Sequence, residues 1–261
     1  MNGGRVEHDS RRSGARLWLF IALAAAAAAV FVRLGFWQLH RLTERRATNA
    51  IIASRLDSAV ADVAALPHDT SLARYRRVRV TGTPDYGHEL IFAARSYFGS
   101  PGVELLTPVR TPGRDTAVIV DRGWVYAPDG ATIDRAKWRE NDTTFTGFAE
   151  AFPSTAGATY TGNPGVISRL SYAVVSRGLP YPVAPVYVIE LGDSAVAANR
   201  VARLSVPPLD EGPHFNYAIQ WFAFAAVSIA GAAVVVRQSR QGRSAMIVPP
   251  IGERGARGGT N

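Results

Sequence analysis

At 261 residues with 47% hydrophobic side chains, the chain is long enough for one ordinary domain plus attachments. Its formal charge of +8 sits mainly in two terminal tails, so the interior is close to neutral and a nucleic-acid-binding surface is not expected. With no cysteine, the chain has no disulfides, thiolate metal sites, iron–sulfur clusters or covalently attached c-type haem.

Residues 1–16 form a basic tail, with Arg5, Arg11, Arg12 and Arg16 against Glu7 and Asp9. Residues 17–36 are apolar except for Arg33, and about 20 residues at 1.5 Å each cross a hydrocarbon core of roughly 30 Å. A signal peptide has a similar basic start and apolar middle. Here Trp37, Gln38, His40, Arg41 and a helix-compatible stretch to about Asp57 follow at once, which favours a retained first transmembrane helix.

From Arg74 onward the pattern changes to short alternating runs separated by Pro and Gly. Tyr75 to Thr81, Glu89 to Ala94, Val103 to Val109, Thr116 to Trp124, Thr144 to Glu150 and Val186 to Leu191 each predict a strand. Turns are expected at Pro84 to Gly87, Gly99 to Gly102 and Thr111 to Asp115. Val166 to Arg177 carries a looser helical period, ended by Gly178 and Pro180. Asp129 to Asn141 and Phe152 to Gly165 predict surface loops. The fold class expected is an α+β membrane protein, with two transmembrane helices flanking a β-rich antiparallel sheet or barrel-like extracytoplasmic domain over 37–213.

Residues 214–236 supply the second span, uncharged from Tyr217 to Val236 and stopped by Arg237. The tail 237–261 carries Arg237, Arg240, Arg243, Arg254 and Arg257 against Glu253 and is expected to be disordered. Arginines outside the outer end of each span place both termini in the cytoplasm, and the short leader with Glu7 and Asp9 favours a bacterial inner membrane with the central domain in the periplasm.

Three islands carry a resemblance. The first is Leu34-Gly35-Phe36-Trp37-Gln38-Leu39-His40-Arg41. The second runs from Tyr75-Arg76-Arg77-Val78-Arg79-Val80-Thr81-Gly82 through Gly102 and Thr107-Pro108 to Asp121-Arg122-Gly123-Trp124-Val125. The third is Pro207-Pro208, then His214-Phe215-Asn216-Tyr217-Ala218-Ile219-Gln220-Trp221-Phe222. In this order, and placed around two spans, they resemble the Surfeit locus protein 1 family. The resemblance covers roughly Leu34 to Arg237 and implies a non-catalytic factor for cytochrome c oxidase biogenesis. It implies haem a as a transient, non-covalent cofactor, oxidase subunit I as the main partner, and haem a synthase and membrane lipid as further ones.

The resemblance makes His214 the proposed haem ligand, and an imidazole is a good axial ligand for haem iron. An interface histidine capping the helix after Pro213 is the alternative. At 100° per residue, Tyr217, Ala218, Trp221, Ala225, Ser228 and Ala232 share a stripe with His214. Tyr217 and Trp221 above small residues would wall a porphyrin notch, or serve the aromatic belt and helix packing. Trp37 and Arg41 share a face at the first span's exit, where Arg41 suits either a haem propionate or lipid headgroups. Gln38 is expected to reach Asn216 or Gln220 on the second span. Arg122, Gly123 and Trp124 are expected to be mainly structural, with Gly123 at a bulge or close backbone approach. The cluster Arg74, Arg76, Arg77 and Arg79 predicts a solvated strand face, and His68 and His88 are expected to be loop residues.

Overall fold

The computed structural model describes residues 4–154, 162–196 and 198–245, and the chain forms two compact units. One comprises the chain up to Ala47 together with the chain from Asp210 onward, and the other is Thr48–Leu209. The part of the expected loop at 155–161 and the last part of the C-terminal tail, 246–261, lie outside the described residues.

Two long helices build the first unit. Helix α1 (Gly4–Leu56) contains the alanine run that favours a helix most strongly, and its 53 residues reach about 80 Å, far beyond a hydrocarbon core. Helix α4 (His214–Ala245) starts directly after Pro213 and continues eight residues past Arg237, so this part of the tail is helical where disorder was expected. Both helices are long and apolar enough to cross a membrane. Their least exposed positions repeat every seven residues: Ala28, Gly35 and Leu42 on α1, Ala218 and Ala225 on α4. That is the seam of a helix pair, not the all-round burial of a soluble core helix. Ring pairs cross it, Phe31 with Trp221 at 5.7 Å and Phe36 with Phe222 at 5.4 Å.

Among the described residues, the second unit is a nine-stranded mixed sheet with short helices. In chain order these are β1 (Ala61–Asp62), α2 (Thr70–Ala73), β2 (Arg77–Thr81), β3 (Thr83–Pro84), β4 (Leu90–Tyr97) and β5 (Ser100–Arg110). There follow β6 (Ala117–Tyr126), β7 (Thr144–Ala151), β8 (Val166–Ile167), α3 (Tyr172–Gly178) and β9 (Val183–Glu190). The order across the sheet is β1-β2-β7-β9-β6-β5-β4-β8, with β3 on β5. The expected antiparallel pairing holds for β2/β7, β4/β5, β5/β6 and β7/β9, but β1/β2, β4/β8 and β6/β9 pair in parallel. The chain from β6 passes through β7 and α3 before β9 inserts between β6 and β7. Both faces of β6 are therefore covered: Ile119 joins Leu106, Val174 and Tyr187, while Val120 joins Val78, Phe145 and Val188. That is why Ala117-Val118-Ile119-Val120 in β6 is an unbroken apolar run and not an alternating one.

The six expected strands are all present, with shifted ends. Tyr75 has φ 63, so its strand begins only at Arg77. The helical period expected from Val166 to Arg177 is corrected at its start. Val166 and Ile167 pair with Ile91 and Phe92, and the helix begins at Tyr172, where the Ser171 side chain accepts from Val174 N. Gly123 (φ +117) sits in a bulge, because Glu104 faces Trp124 while Leu106 faces Asp121. A Cβ on Gly123 would lie 2.2 Å from Ala202 O, so the backbone approach requires glycine.

Candidate functional site

The helix pair places the histidine singled out by the sequence on the seam. Counting back seven from Trp221 gives His214, and counting on seven from Phe31 gives Gln38. The two meet: His214 Nδ1 lies 2.9 Å from Gln38 Oε1, and Gln38 is only 9% exposed. Asn216 and Gln220, the partners expected for Gln38, are on the exposed face of α4, so the partner is His214 itself.

With the amide oxygen facing the ring, His214 would be the donor in this bond and Nδ1 would bear the hydrogen. Nε2 is then the ring nitrogen with the free lone pair, and among the described residues it makes no hydrogen bond. Gly212 (φ +68) lies beside it: a Cβ there would sit 3.5 Å from both Cδ2 and Nε2. Glycine thus leaves this edge of the ring uncovered. Among the described residues no group of three or more His, Cys, Asp or Glu is arranged to hold a metal ion.

The remaining site residues are arranged differently. Tyr217 is 46% exposed and lies off the seam, which runs through His214, Ala218, Trp221, Ala225, Ser228 and Ala232 in steps of four and three. Trp221 is on the seam but stacks on Phe31 with 24° between the rings and meets Phe224 edge-on, so one flat face of the expected notch is occupied by protein. Trp37 is half exposed, and Arg41 pairs with Glu44 one turn along α1. Among the described residues, none of Tyr217, Trp37 and Arg41 makes a hydrogen bond or ring contact with His214.

Two polar contacts that sequence reasoning missed tie the part of α1 just past Gln38 to the segment entering α4. Arg46 grips Glu211 through two 2.7 Å bonds, and Arg45 Nε donates to Asp210 O at 3.1 Å. The only available signal was opposite charge just outside both spans.

In the second unit, Arg122 is closed off from solvent. It donates to Glu89 (2.6 Å), Glu140 (2.8 Å), Thr107 Oγ1 (2.8 Å) and Trp138 O (2.8 Å). Arg203 adds a second cation, bonded to Glu140 and 3.3 Å from Glu190. Burial, and then the nearby Glu140 charge, outweighs Arg203 and pushes Glu190 up to about 7. Asp121 is also held well above the usual carboxylate range, by burial first and then by the Glu104 charge. The structural role expected for Arg122-Gly123-Trp124 therefore rests on an ion network whose acids, Glu89 and Glu140, the sequence did not single out. Of the arginine cluster, Arg76 and Arg79 are exposed, while Arg74 pairs with Glu150. His88 sits in a small cluster, with Nδ1 2.9 Å from Asp85 and its ring edge-on to Tyr181.

Comparison with known proteins bears on the whole arrangement. The SURF1 family model matches residues 25–226. A "SURF1-like protein" of Monosiga brevicollis is 22% identical over 256 residues, covering 94% of this chain and 96% of the relative. One of Rickettsia bellii is 27% identical, covering 76% of this chain and 82% of its own length. An "uncharacterized SURF1-like protein" of Mycobacterium tuberculosis is 27% identical, covering 79% of each chain.

Proposed function

We propose a haem-handling role for this chain, which belongs to the SURF1 family, a family of cytochrome c oxidase assembly factors. In this reading His214 Nε2 would bind the iron of haem a, which the protein would hold for transfer to oxidase subunit I, with haem a synthase as the donor. The supporting observation is the Gln38–His214 bond, which engages Nδ1 and leaves Nε2 without a hydrogen bond among the described residues, on the seam of a membrane helix pair. The bound group would supply iron and its redox chemistry. The chain supplies one ligand and an apolar aromatic surround from Phe36, Trp37, Phe215 and Tyr217, all exposed. No catalytic step is assigned to the chain.

In the same reading both termini lie on the cytoplasmic side of a bacterial inner membrane and the mixed sheet lies in the periplasm, an orientation that the basic flanks support. Because the chain has no cysteine, single cysteines report this directly. One introduced at Asp129 should react with an impermeant maleimide in intact spheroplasts, and one at Gln238 should not; the opposite pattern rejects the orientation.

The haem reading is tested by expressing the full chain with and without haem a synthesis and recording its visible spectrum after purification. A haem band that appears only with synthesis, and that His214→Ala weakens, supports it. Colourless protein under both conditions overturns it. A haem-free scaffold is the second reading, favoured by the β4–β5 hairpin tip, where Phe98 is 89% exposed beside Tyr97. It predicts that oxidase subunits still co-purify with His214→Ala but are lost with Phe98→Ser.

A further inference from the structure

Gln38 and His214 are 176 residues apart in sequence and bonded at 2.9 Å across the two helices. A glutamine buried to 9% exposure on an apolar helix face is costly unless its amide is satisfied, so this position is used for something leucine cannot do. We propose that Gln38 is a positioning residue: its carbonyl oxygen holds His214 in the Nδ1–H tautomer and fixes the ring so that Nε2 presents its lone pair. This rests on the reading of His214 as a haem ligand, and deepens it.

The chemistry explains the choice of an amide. A neutral imidazole exists as two tautomers, and only the nitrogen without the proton can bind iron. Donation of Nδ1–H to an acceptor selects the useful tautomer, and the acceptor's charge tunes how strongly the ring donates electrons. A carboxylate partner would raise the basicity of the ring and tighten the iron bond. A neutral amide orients the ring without that increase, which suits a ligand that must release its cargo. The flanking contacts reinforce the geometry, since Arg46–Glu211 and Arg45–Asp210 lie just beyond the pair and hold α1 to the segment entering α4.

The test uses the full chain in lipid nanodiscs with nitrogen-15 histidine, the His214 signals being those lost in His214→Ala. Without haem, the wild type should show Nδ1 protonated and Nε2 unprotonated. Gln38→Leu should lose this preference, and Gln38→Glu should keep it. With haem, Gln38→Leu should weaken binding about 10- to 100-fold, the usual effect of removing a ligand's hydrogen-bond partner, and Gln38→Glu should lower the reduction potential. A proton on Nε2 in the wild type would mean that the amide is turned the other way, with its nitrogen donating to the ring, and would overturn the proposal. So would an Nδ1–H tautomer that persists in Gln38→Leu. If the tautomer behaves as stated but no haem binds, the functional reading fails while the positioning role stands.

Discussion

Arg122 and Glu89 meet at 2.6 Å with side-chain exposures of 0% and 1%, an ion pair fully inside the mixed sheet domain. Taking two charges out of water is expensive, and the pair persists because Thr107, Glu140 and the Trp138 carbonyl complete the guanidinium's bonds. The pair links β6 to the segment entering β4, across β5. The same bulge that lets Arg122 turn inward carries Gly123.

Removing one partner should therefore cost far more than removing both. Arg122→Met leaves Glu89 buried without a counter-charge and should destabilise the domain by about 3–5 kcal/mol. The double variant with Glu89→Leu should recover most of that loss. Equilibrium denaturation of the purified protein measures both, and a double variant no more stable than the single one would refute the ion pair as the cause.

Stability should fall as pH rises through the weakly acidic range. Glu190 titrates at about 7 in the folded chain because of burial, whereas an unfolded glutamate titrates near 4.3. Between those values the folded state binds more protons than the unfolded state. The contribution is thus fully present below the unfolded value and is lost by about pH 7. At 1.36 kcal/mol per unit this amounts to about 4 kcal/mol. Asp121 and Glu104, both raised by burial, act in the same direction. Denaturation midpoints measured from about pH 5 to about pH 8 should decline in the wild type and decline less in Glu190→Gln.

Phe98 should be replaceable with a gain in stability. Tyr97 pairs with Ser100, so Phe98 (φ 47) and Gly99 (φ 79) form a two-residue hairpin loop with both residues left-handed. Such a conformation costs a non-glycine residue about 1–2 kcal/mol, and Asn is favoured there. Phe98→Asn should stabilise the domain by about 1 kcal/mol. A loss of stability instead would show that the ring's 4.6 Å contact with Tyr97 outweighs the backbone strain.

The strands were legible because alternation and turn residues are local signals. Thr111–Asp115 breaks the pattern where the chain turns and Gly123 marked its bulge, whereas the turn expected at Gly99 to Gly102 lies at Phe98-Gly99, with Ser100 to Gly102 already in β5. The insertion of β9 parallel to β6 was not legible, since strand order depends on which apolar faces cover one another in the folded sheet. The short pieces β1, β3 and β8 carry too few residues for any period to show.

The sequence by itself determined two membrane-length helices, a β-rich middle, a seven-residue stripe from His214 through Trp221 to Ala232, and the family. Periodicity and composition need only neighbours along the chain, so one strand of text suffices for them. Tertiary structure decided which side chains meet: Gln38 with His214 instead of Asn216, Arg122 with Glu89, and Trp221 against Phe31 instead of an open notch. These pairings join residues 33 to 190 positions apart, and a buried hydrogen bond is satisfied by whichever acceptor the packed helices and strands bring within 3 Å, which no local pattern records.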